Sequence, residues 1–383
     1  MKFQFLPEEL LLSAWGEGMN YWSRDYVASV AAFQLAIEKI GQKGLAVTSE
    51  RLLIGQIGPN DEDLAIEIAI IGDKKASKWF LQTSGVHGVE GFAGSAIQIS
   101  ILDQIESVPQ DTALVFIHIV NPFGMAWMRR VNESNVDLNR NMLLPDEEYS
   151  GEPEGYAELS PIINQQEEPK LRDGFLRRAL WHVAKNGFAN TKQAYAMGQY
   201  ERPLELQFGG AKMERSLELF LAWFGENSGY LQRCVWVDLH TGLGKSGIDS
   251  LLVDSAAGSP KFIQLRECYG KRVFSLDPKA GVAYKIRGGF QAGIEARFPD
   301  IEWTSITQEF GTHGPFTVIS ALRHENMWTQ WGGASGRDAL NHWSRDRLRD
   351  AFRVNKPKWE YDLIKRGRAL FATALTDLAR SGD

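Results

Sequence analysis

The chain has 383 residues, of which 44% are hydrophobic and 23% are charged, and its formal net charge is −6. These values are typical of a soluble globular protein. The acidic balance argues against nucleic acid as the main partner, and the sequence has no basic cluster with interleaved aromatic residues. The apolar runs are too short and too interrupted to span a membrane, so we expect no membrane partner.

The sequence has only two cysteines, Cys234 and Cys268. Cys234 opens an apolar stretch and is expected to be a small core residue, and nothing indicates a disulfide framework. The N-terminus lacks the long apolar core of a signal peptide. These features fit a reducing compartment, and we expect a cytoplasmic protein. No heptad repeat or self-complementary face indicates an oligomeric state.

Apolar runs with β-branched residues alternate along the chain with amphipathic helical patterns. In chain order, they predict a helix at 25–40, strands at 51–58 and 64–72 that form a hairpin, a strand at 78–84, a helix at 92–107, strands at 113–120, 235–239, 251–254 and 305–310, and helices at 317–330, 337–354 and 359–381. Strands separated by helices imply a mostly parallel or mixed sheet that is covered on both faces. The predicted fold class is therefore α/β.

Residues 145–173 differ from the rest of the chain because they are acidic and rich in turn-forming residues. A solvated surface loop is the simplest interpretation, and a flap beside a functional site is the alternative. Residues 175–226 have a helical pattern that interrupts the sheet. One domain over residues 1–383, with an insertion at about 141–230, is the simplest organisation.

The first candidate site element is a His-x-x-Glu pair, His87 and Glu90, which follows the predicted strand at 78–84. Gly85 and Gly88 allow the backbone to turn sharply there. Glu90 then lies at the start of a helix, where its side chain can reach the same point as that of His87. Such a pair also occurs by chance as a surface or capping motif, and the strand–glycine–helix context is the feature that supports a functional site.

His240 is the second element, and it follows the apolar strand at 235–239 and precedes a glycine turn. In open α/β sheets, ligands gather at the carboxyl ends of strands. Taken alone, His240 is more simply a strand-end histidine bonded to backbone, with Asp238 able to orient a nearby group. Two imidazoles and a carboxylate are nevertheless the ligand set of a catalytic zinc site, which leaves one position for water.

Glu309 is the third element, because it puts a carboxylate at the end of the predicted strand at 305–310, before a glycine. A carboxylate near a metal-bound water can remove its proton and later protonate a leaving amine. The simpler alternative is a strand-end glutamate that caps the next helix.

The fourth element is the polar stretch at 121–141, which follows a buried strand and is rich in guanidinium and amide groups. The adjacent Asn139 and Arg140 suit bidentate recognition of a carboxylate. A further arginine, Arg129 or Arg130, could polarise a scissile carbonyl. A structural loop with surface arginines is the alternative.

The other five histidines have no partner at metal-ligand spacing. We expect His118 to be a hydrogen-bonded core histidine within the strand at 113–120. His182 and His342 are expected on helix faces, and His324 on a helical surface. His313 follows Glu309 closely in the sequence and could line the cleft.

Together, the four elements resemble the zinc carboxypeptidase family, which pairs His-x-x-Glu with a distant histidine, an Asn-Arg pair and a late glutamate in this chain order. The stretch at 121–140 also resembles the cytosolic carboxypeptidase and the aspartoacylase/succinylglutamate desuccinylase branches. The resemblance covers about residues 78–312. It implies a three-layer α/β/α fold around a mixed, twisted central sheet.

The resemblance also implies a metal site with one Zn²⁺ ion. His87, Glu90 and His240 would bind the zinc, and Glu309 would act as the general base and acid. Whether a second metal binds is left open by the sequence.

The resemblance further implies the residues that contact the substrate. Arg130 would polarise the carbonyl, with Arg129 as the fallback, and Asn139 and Arg140 would hold a substrate carboxylate. Digestive members of the family use a mobile tyrosine upstream of the catalytic glutamate, and Tyr284 is the nearest candidate, although a core or rim tyrosine is the simpler interpretation. Tyr200 is a second, weaker candidate.

The implied function is the zinc-dependent hydrolysis of an amide bond in a small peptide or an N-acyl amino acid. A carboxypeptidase needs a peptide with a free carboxylate, whereas a deacylase releases an amino acid from its acyl group. The arginine spacing and the Asn-Pro-Phe-Gly turn at 121–124 favour the peptidase. A catalytically silent binding module is the third alternative, and the intact set of ligands and base argues against it.

Overall fold

The computed structural model describes residues 21–276 and 286–380. The elements in chain order are α1 (Tyr26–Gln42), β1 (Val47–Ile57), β2 (Asp63–Gly72), β3 (Lys78–Ser84), α2 (Gly91–Leu102), β4 (Thr112–His118), α3 (Pro122–Ala126), α4 (Tyr156–Ile163), α5 (Phe175–Asn186), α6 (Phe188–Ala196), α7 (Arg215–Asn227), β5 (Arg233–Ser246), β6 (Asp249–Val253), α8 (Pro260–Tyr269), β7 (Val273–Ser275), α9 (Phe290–Glu295), β8 (Glu302–Gly311), α10 (Pro315–Trp331), α11 (Trp343–Phe352) and α12 (Pro357–Leu378). Within those two ranges, no helix combines the length and apolar character needed to cross a bilayer.

One sheet of eight strands forms the centre of the described structure, in the order β1-β2-β4-β3-β5-β8-β6-β7. The four central strands β4, β3, β5 and β8 are parallel. Antiparallel pairs join β1 to β2, β2 to β4, and β6 to β8. The sheet is therefore mixed, and the carboxyl ends of β3, β5 and β8 meet at one edge.

Alternate side chains of the central strands enter two separate hydrophobic clusters. Phe80 and Val235 pack on one face with α1, α2, α8 and α12, whereas Trp79, Leu81 and Trp236 pack on the other with α3, α7 and α9. Because side chains alternate along a strand, continuous apolar runs bury both faces of the sheet. The predicted α/β fold, with a mixed sheet between two helical layers, is confirmed.

A third hydrophobic cluster lies away from the two sheet faces. Helices α4, α5 and α6 of the predicted insertion pack there with α10 and α11, through residues such as Leu159, Ala179, Leu322 and Phe352. Val89, beside the first candidate site element, belongs to the same cluster. These helices therefore lie next to the candidate site. The division into one domain with an insertion at about 141–230 remains a prediction.

The predicted strands and helices occur in the structure, with differences at their ends and three larger departures. The helix predicted at 337–354 is divided, because residues 336–341 form a short 3₁₀ helix and the His342 side chain then accepts a hydrogen bond from Ser344 N at 3.3 Å to begin α11. Strand β7 was not predicted, because three residues are too short to show a period. The acidic stretch at 145–173 also contains helix α4.

Candidate metal centre and active site

The structure brings His87, Glu90 and His240 together at the carboxyl edge of the sheet. One ligand atom from each residue can be chosen so that all three lie within 4.8 Å of one another. All three side chains are buried, with exposed fractions of 3%, 2% and 4%. The two imidazole centroids are 4.9 Å apart. Residues separated by 150 positions in the chain therefore form one compact cluster.

The turn after β3 positions His87 and Glu90. Gly85 has a φ of +66°, which favours glycine, and a Cβ on Gly88 would lie 2.1 Å from the carbonyl carbon of Gly124. A 3₁₀ turn at Gly88–Glu90 then leads directly into α2. The glycines thus allow the chain to reverse within three residues, so that both side chains lie at the same edge.

Strand β5 positions His240 beside this turn. β5 pairs in parallel with β3 up to Leu239 opposite Ser84, and His240 is the next residue. The backbone N–H of Thr241 donates to Glu90 Oε2 at 2.8 Å, which ties the carboxylate to the end of β5. His240 lies inside the strand and not after it, because β5 continues to Ser246 through an irregularity after Thr241.

Both imidazoles have the same orientation relative to Glu90. His87 Nδ1 lies 2.9 Å from Glu90 Oε1, and His240 Nδ1 lies 3.3 Å from Glu90 Oε2. On the far side of each ring, Nε2 contacts a buried carboxylate: Asp137 Oδ1 at 3.1 Å from His87, and Asp238 Oδ2 at 2.7 Å from His240. Each ring is therefore fixed at one nitrogen and presents the other to Glu90.

This donor set fits a metal ion. His87 Nδ1 is buried and lies 2.9 Å from Glu90 Oε1 without the geometry of a hydrogen bond. Histidines that bind metals usually donate their second ring nitrogen to a carboxylate, which fixes the tautomer, and both rings have that partner here. Two imidazoles and one carboxylate with space for a further ligand suit Zn²⁺.

The charges in the cluster are strongly coupled without a metal. Burial alone would raise the pKa of the Glu90 carboxyl, but His87 and His240 outweigh it and lower that pKa. Burial opposes a charge on His240, but the Asp238 carboxylate outweighs it and raises the imidazole pKa well above its usual value. Because a histidine must be neutral to bind a metal ion, metal binding would release the proton of His240.

Glu309 lies beside the cluster on β8. In the parallel register it is directly opposite His240, and its Oε1 accepts a hydrogen bond from Leu243 N at 2.9 Å. Burial and the neighbouring Glu90 charge raise the pKa of Glu309 to about 7. A carboxyl with a pKa near neutrality can both accept and donate a proton at physiological pH.

Arg130 contacts the ligand residues themselves. Its Nη1 donates to Glu90 Oε1 at 2.9 Å and its Nε to Asp137 Oδ2 at 3.2 Å, while Nη2 lies 2.7 Å from His87 Nε2. The backbone N–H of Gly88 donates to the Arg130 carbonyl at 3.0 Å, which holds the two turns together. The guanidinium thus lies between the carboxylates and lines the same pocket.

Asn139 and Arg140 also line this pocket. Asn139 Oδ1 accepts a hydrogen bond from Phe290 N at 2.9 Å, and Arg140 donates to the carbonyls of Ala196 at 2.9 Å and Asn139 at 2.8 Å. Arg140 is 2% exposed, so its positive charge is held inside the protein at the edge of the pocket.

Arg129 has a different environment from its neighbour. Its Nε donates to buried Glu325 Oε1 at 2.9 Å and its Nη2 to Asn135 Oδ1 at 2.7 Å, and it is not among the residues that line the pocket. The guanidinium of Arg129 therefore forms a buried ion pair with Glu325. This placement argues against Arg129 as the fallback carbonyl-polarising residue.

The two tyrosine candidates have different outcomes. Tyr284 lies outside the described residues. Tyr200 is buried and donates its hydroxyl hydrogen to the Arg140 carbonyl at 2.7 Å, and it is not among the pocket-lining residues. Burial raises the pKa of its hydroxyl above the usual value. Through this hydrogen bond, Tyr200 stabilises the backbone at Arg140 and does not face the pocket.

Sequence reasoning missed some contacts and misplaced one histidine. Asp137 lies in the predicted binding stretch, but nothing local in the sequence connects it to His87, 50 positions away. His324 is predicted on a helical surface, but it is 2% exposed, because Trp343 and Arg347 of α11 and the Asp173 carboxylate lie against its ring. His118 is fully buried as expected, and its two ring nitrogens contact Ser29 Oγ and Gln98 Oε1 at 3.0 and 2.9 Å.

The cluster opens into a cavity of about 570 Å³. His87, Glu90, His240, Arg130 and Glu309 lie at its polar end. Its other walls come from β-strand ends and from α4, α5, α6 and α10. A large concave pocket with convergent polar groups and perturbed pKa values is the usual setting of an active site.

Comparison with solved structures finds similar folds at low sequence identity. The carboxypeptidase A from Helicoverpa armigera matches with a TM-score of 0.46 and 14% identity, over 91% of this chain and 80% of that one. The metallo-carboxypeptidase from Burkholderia cenocepacia matches with a TM-score of 0.37 and 10% identity, over 88% and 68% of the two chains. The murein-tripeptide amidase MpaA from Escherichia coli O157 matches with a TM-score of 0.34 and 13% identity, over 74% and 92%.

A search of curated proteins finds no match to this chain. One family model matches residues 22–366, which is most of the sequence and includes every candidate ligand, Glu309 and the Asn139-Arg140 pair. The chain belongs to the protein family described as "Protein of unknown function (DUF2817)".

Proposed function

We propose that this protein is a zinc-dependent hydrolase of amide bonds, of the metallocarboxypeptidase type, that acts on a substrate with a free carboxylate. The observation that carries the proposal is the common orientation of His87 and His240, each with Nε2 on an aspartate and Nδ1 facing Glu90. Buried imidazoles arranged in this way suit a cation better than a structural hydrogen-bond network.

His87, Glu90 and His240 would hold the ion. Zinc supplies Lewis acidity there, both for an amide carbonyl and for a water molecule. Asp137 and Asp238 keep the two rings in the orientation that ligation needs. The protein's own contribution at this point is a fixed, buried donor set.

Glu309 would transfer the proton in this mechanism. It takes a proton from water as the water attacks the carbonyl carbon, and it later gives that proton to the departing amine nitrogen. Its position opposite His240 and its raised pKa of about 7 both support this role. The burial of the carboxyl keeps bulk water from competing for the proton.

The basic residues would orient the substrate. Arg130 would donate to the carbonyl oxygen as negative charge develops there, and its contact with Glu90 in the lining of the pocket supports this role. Asn139 and Arg140, further along the pocket wall, would hold the substrate carboxylate. Both a peptide C-terminus and an N-acyl amino acid carry that carboxylate, so the same residues serve a peptidase or a deacylase.

A catalytically silent binding module would not need the whole arrangement. Such a protein could lose Glu309 or one ligand without consequence. All of them are present here, and they lie in one cluster that faces one cavity. We therefore favour an enzyme.

A hydrolysis screen tests the proposal. Zinc-loaded protein and a chelated sample are incubated with peptides that have free or amidated C-termini and with N-acyl amino acids, and the products are identified by mass spectrometry. Chelator-sensitive release of a C-terminal residue only from free-carboxylate peptides supports the peptidase. Cleavage confined to N-acyl amino acids moves the protein to the deacylase class, and no metal-dependent cleavage of any substrate contradicts the proposal.

A further inference from the structure

The wall of the cavity is polar at the ligand cluster and largely apolar elsewhere. Beyond the ligand cluster, its walls include Leu159 and Ile163 of α4, Ala179 and Val183 of α5, and Leu322 of α10. Most of these side chains belong to the hydrophobic cluster that the insertion helices form beside the site. The insertion therefore adds an apolar chamber to the catalytic end of the pocket.

Charge is sparse in the part of the chamber that the insertion forms. Among the described lining residues, Lys192 of α6 is the only charged side chain contributed by α4, α5 or α6. Burial lowers the pKa of its amine, which indicates that the environment disfavours a charge. An occupant of this part of the pocket should therefore be uncharged and apolar.

The wall of the chamber reaches the surface at the junction of α5 and α6. Phe188, the first residue of α6, lines the cavity and is also 59% exposed to solvent. On the outer face of α5, Leu176, Leu180 and Trp181 are exposed as well. Phe188 is thus both part of the chamber wall and part of the surface, whereas these three side chains do not line the cavity.

We infer that the apolar chamber binds a long aliphatic chain of the substrate, and that the substrate is an amide in which a fatty acyl group is joined to an amino acid or a peptide with a free carboxylate. The inference rests on the proposed amide hydrolase function and selects its deacylase alternative, because the bond that breaks joins the acyl group to the amine. A cavity of about 570 Å³ has the size of pockets that enclose a whole small molecule, which are typically about 300–1,000 Å³. The chain would lie along α4 and α5, and the carboxylate would remain near Arg140.

The reaction balances with water as the only co-reactant. The amide C–N bond breaks, the hydroxyl of water joins the acyl carbon, and the water's remaining proton goes to the amine nitrogen. The products are a free fatty acid and an amino acid or a peptide. No oxidant, reductant or group donor is required.

The test is a ladder of substrates that differ only in chain length. N-acetyl-, N-hexanoyl-, N-decanoyl- and N-myristoyl-L-alanine are compared below their aggregation concentrations. A second series carries the same four acyl groups on an alanine tripeptide. Calorimetric affinity for the full-length, zinc-loaded Glu309→Gln protein reports binding without turnover, and kcat/KM of the zinc-loaded natural sequence reports hydrolysis. We expect both to rise roughly fourfold for each methylene that enters the chamber. Comparison of the two substrate series shows whether the protein prefers an acyl amino acid or an acyl peptide.

Variants that fill the chamber give the second part of the test. Ala179→Phe and, as an independent variant, Val183→Trp should shift the preference to shorter chains, because each lowers the affinity for the decanoyl and myristoyl substrates more than for the acetyl substrate. Leu180→Phe is the matched control, because Leu180 is next to Ala179 but lies on the exposed outer face of α5. That control should keep the original chain-length profile.

The outcomes separate the inference from the proposed function. Hydrolysis that does not depend on chain length, or that falls as the chain grows, overturns the inference and leaves the hydrolase intact. A preference for aromatic side chains near the carboxylate over long acyl chains also overturns it. Affinity that rises with chain length in a protein without turnover supports the chamber and contradicts the hydrolase.

Discussion

His240 and Glu309 are directly opposite each other in the parallel register of β5 and β8. One side chain belongs to the candidate ligand cluster, and the other has a carboxyl pKa raised to about 7 by burial and by Glu90. The sheet itself therefore fixes the separation between the proposed metal ligand and the proposed proton carrier. A rigid scaffold of this kind holds reacting groups in place more accurately than a loop does.

Replacing Glu309 should remove catalysis without removing zinc. Glu309→Gln keeps the size of the side chain but cannot accept and return a proton, so we expect turnover to fall on the order of a hundredfold or more. Zinc content, measured by mass spectrometry of the metal, should stay unchanged. Glu302→Gln is the control, because Glu302 lies on the same strand but at its opposite, exposed end. Near-normal turnover of Glu309→Gln would exclude Glu309 from the mechanism.

Replacing a ligand should instead remove the metal. His87→Ala deletes one of the two imidazoles that face Glu90, and we expect it to lose bound zinc after dialysis. His313→Ala is the matched control, since His313 also lines the cavity but bonds through Nε2 to the Asp350 carbonyl. Full zinc occupancy in His87→Ala, with normal folding by circular dichroism, would refute the ligand assignment.

Asp137 and Asp238, which contact Nε2 of the two histidine rings, should strengthen zinc binding. Asp137→Asn and Asp238→Asn each keep the shape of the side chain but remove the carboxylate that fixes one imidazole. Loss of such a partner typically weakens metal binding by about 10–100-fold. Competition with a chromophoric chelator measures the change. An affinity equal to that of the natural sequence in both variants would show that the rings do not need these partners.

Buried His118 should make folding sensitive to acid. Burial lowers its imidazole pKa to about 3, whereas an unfolded histidine titrates near about 6.5, so the unfolded chain binds the proton first. Its stabilising contribution is complete above about pH 6.5 and is lost progressively as the pH falls towards 3. Between pH 7 and 5 the loss should be about 2 kcal/mol.

Other groups also titrate in this range, so the measurement is a difference. Denaturant unfolding of the natural sequence and of His118→Gln is compared at several pH values, because glutamine can keep hydrogen bonds to Ser29 and Gln98 without titrating. The difference in unfolding free energy between the natural sequence and His118→Gln should change by about 2 kcal/mol between pH 7 and 5. Parallel pH profiles would show that His118 does not contribute.

Glu325 should be structural and unrelated to the metal. Its Oε1 accepts hydrogen bonds from Arg129 at 2.9 Å and from Arg345 at 2.5 Å, and all three side chains are buried. Glu325→Gln leaves two buried cations without their counter-charge, which should cost about 3–5 kcal/mol of unfolding free energy. Glu106→Gln, in an exposed pair with Lys43, should cost less than about 1 kcal/mol. Equal stability of both variants would contradict this account.

The sequence predicted best the parts of the site whose residues are close together in the chain. The apolar runs that form β3 and β5 are followed by His-x-x-Glu and Asp-x-His, and both motifs indicated the carboxyl edge of a sheet. The Asp238–His240 contact spans two positions, so its role as an orienting carboxylate could be proposed from spacing alone. The parallel order of β3, β5 and β8 then brings these motifs together.

Contacts between distant segments could not be predicted in the same way. Nothing in the spacing of Asp137 and His87, or of Arg129 and Glu325, indicates that each pair is in contact. The choice between adjacent Arg129 and Arg130 depends on which direction each side chain takes from one turn. The apolar chamber also depends on how α4, α5 and α6 pack against α10 and α11, which tertiary structure alone decides.

The most direct test of the metal site is anomalous diffraction from crystals of the zinc-loaded protein, with data collected on both sides of the zinc absorption edge. The account predicts one strong anomalous peak at about 2.0–2.1 Å from Nδ1 of His87 and of His240, with Glu90 as the third protein ligand. Crystals that contain zinc in equal amount to protein but show the peak elsewhere, or bonded to Nε2 of either ring, would contradict it.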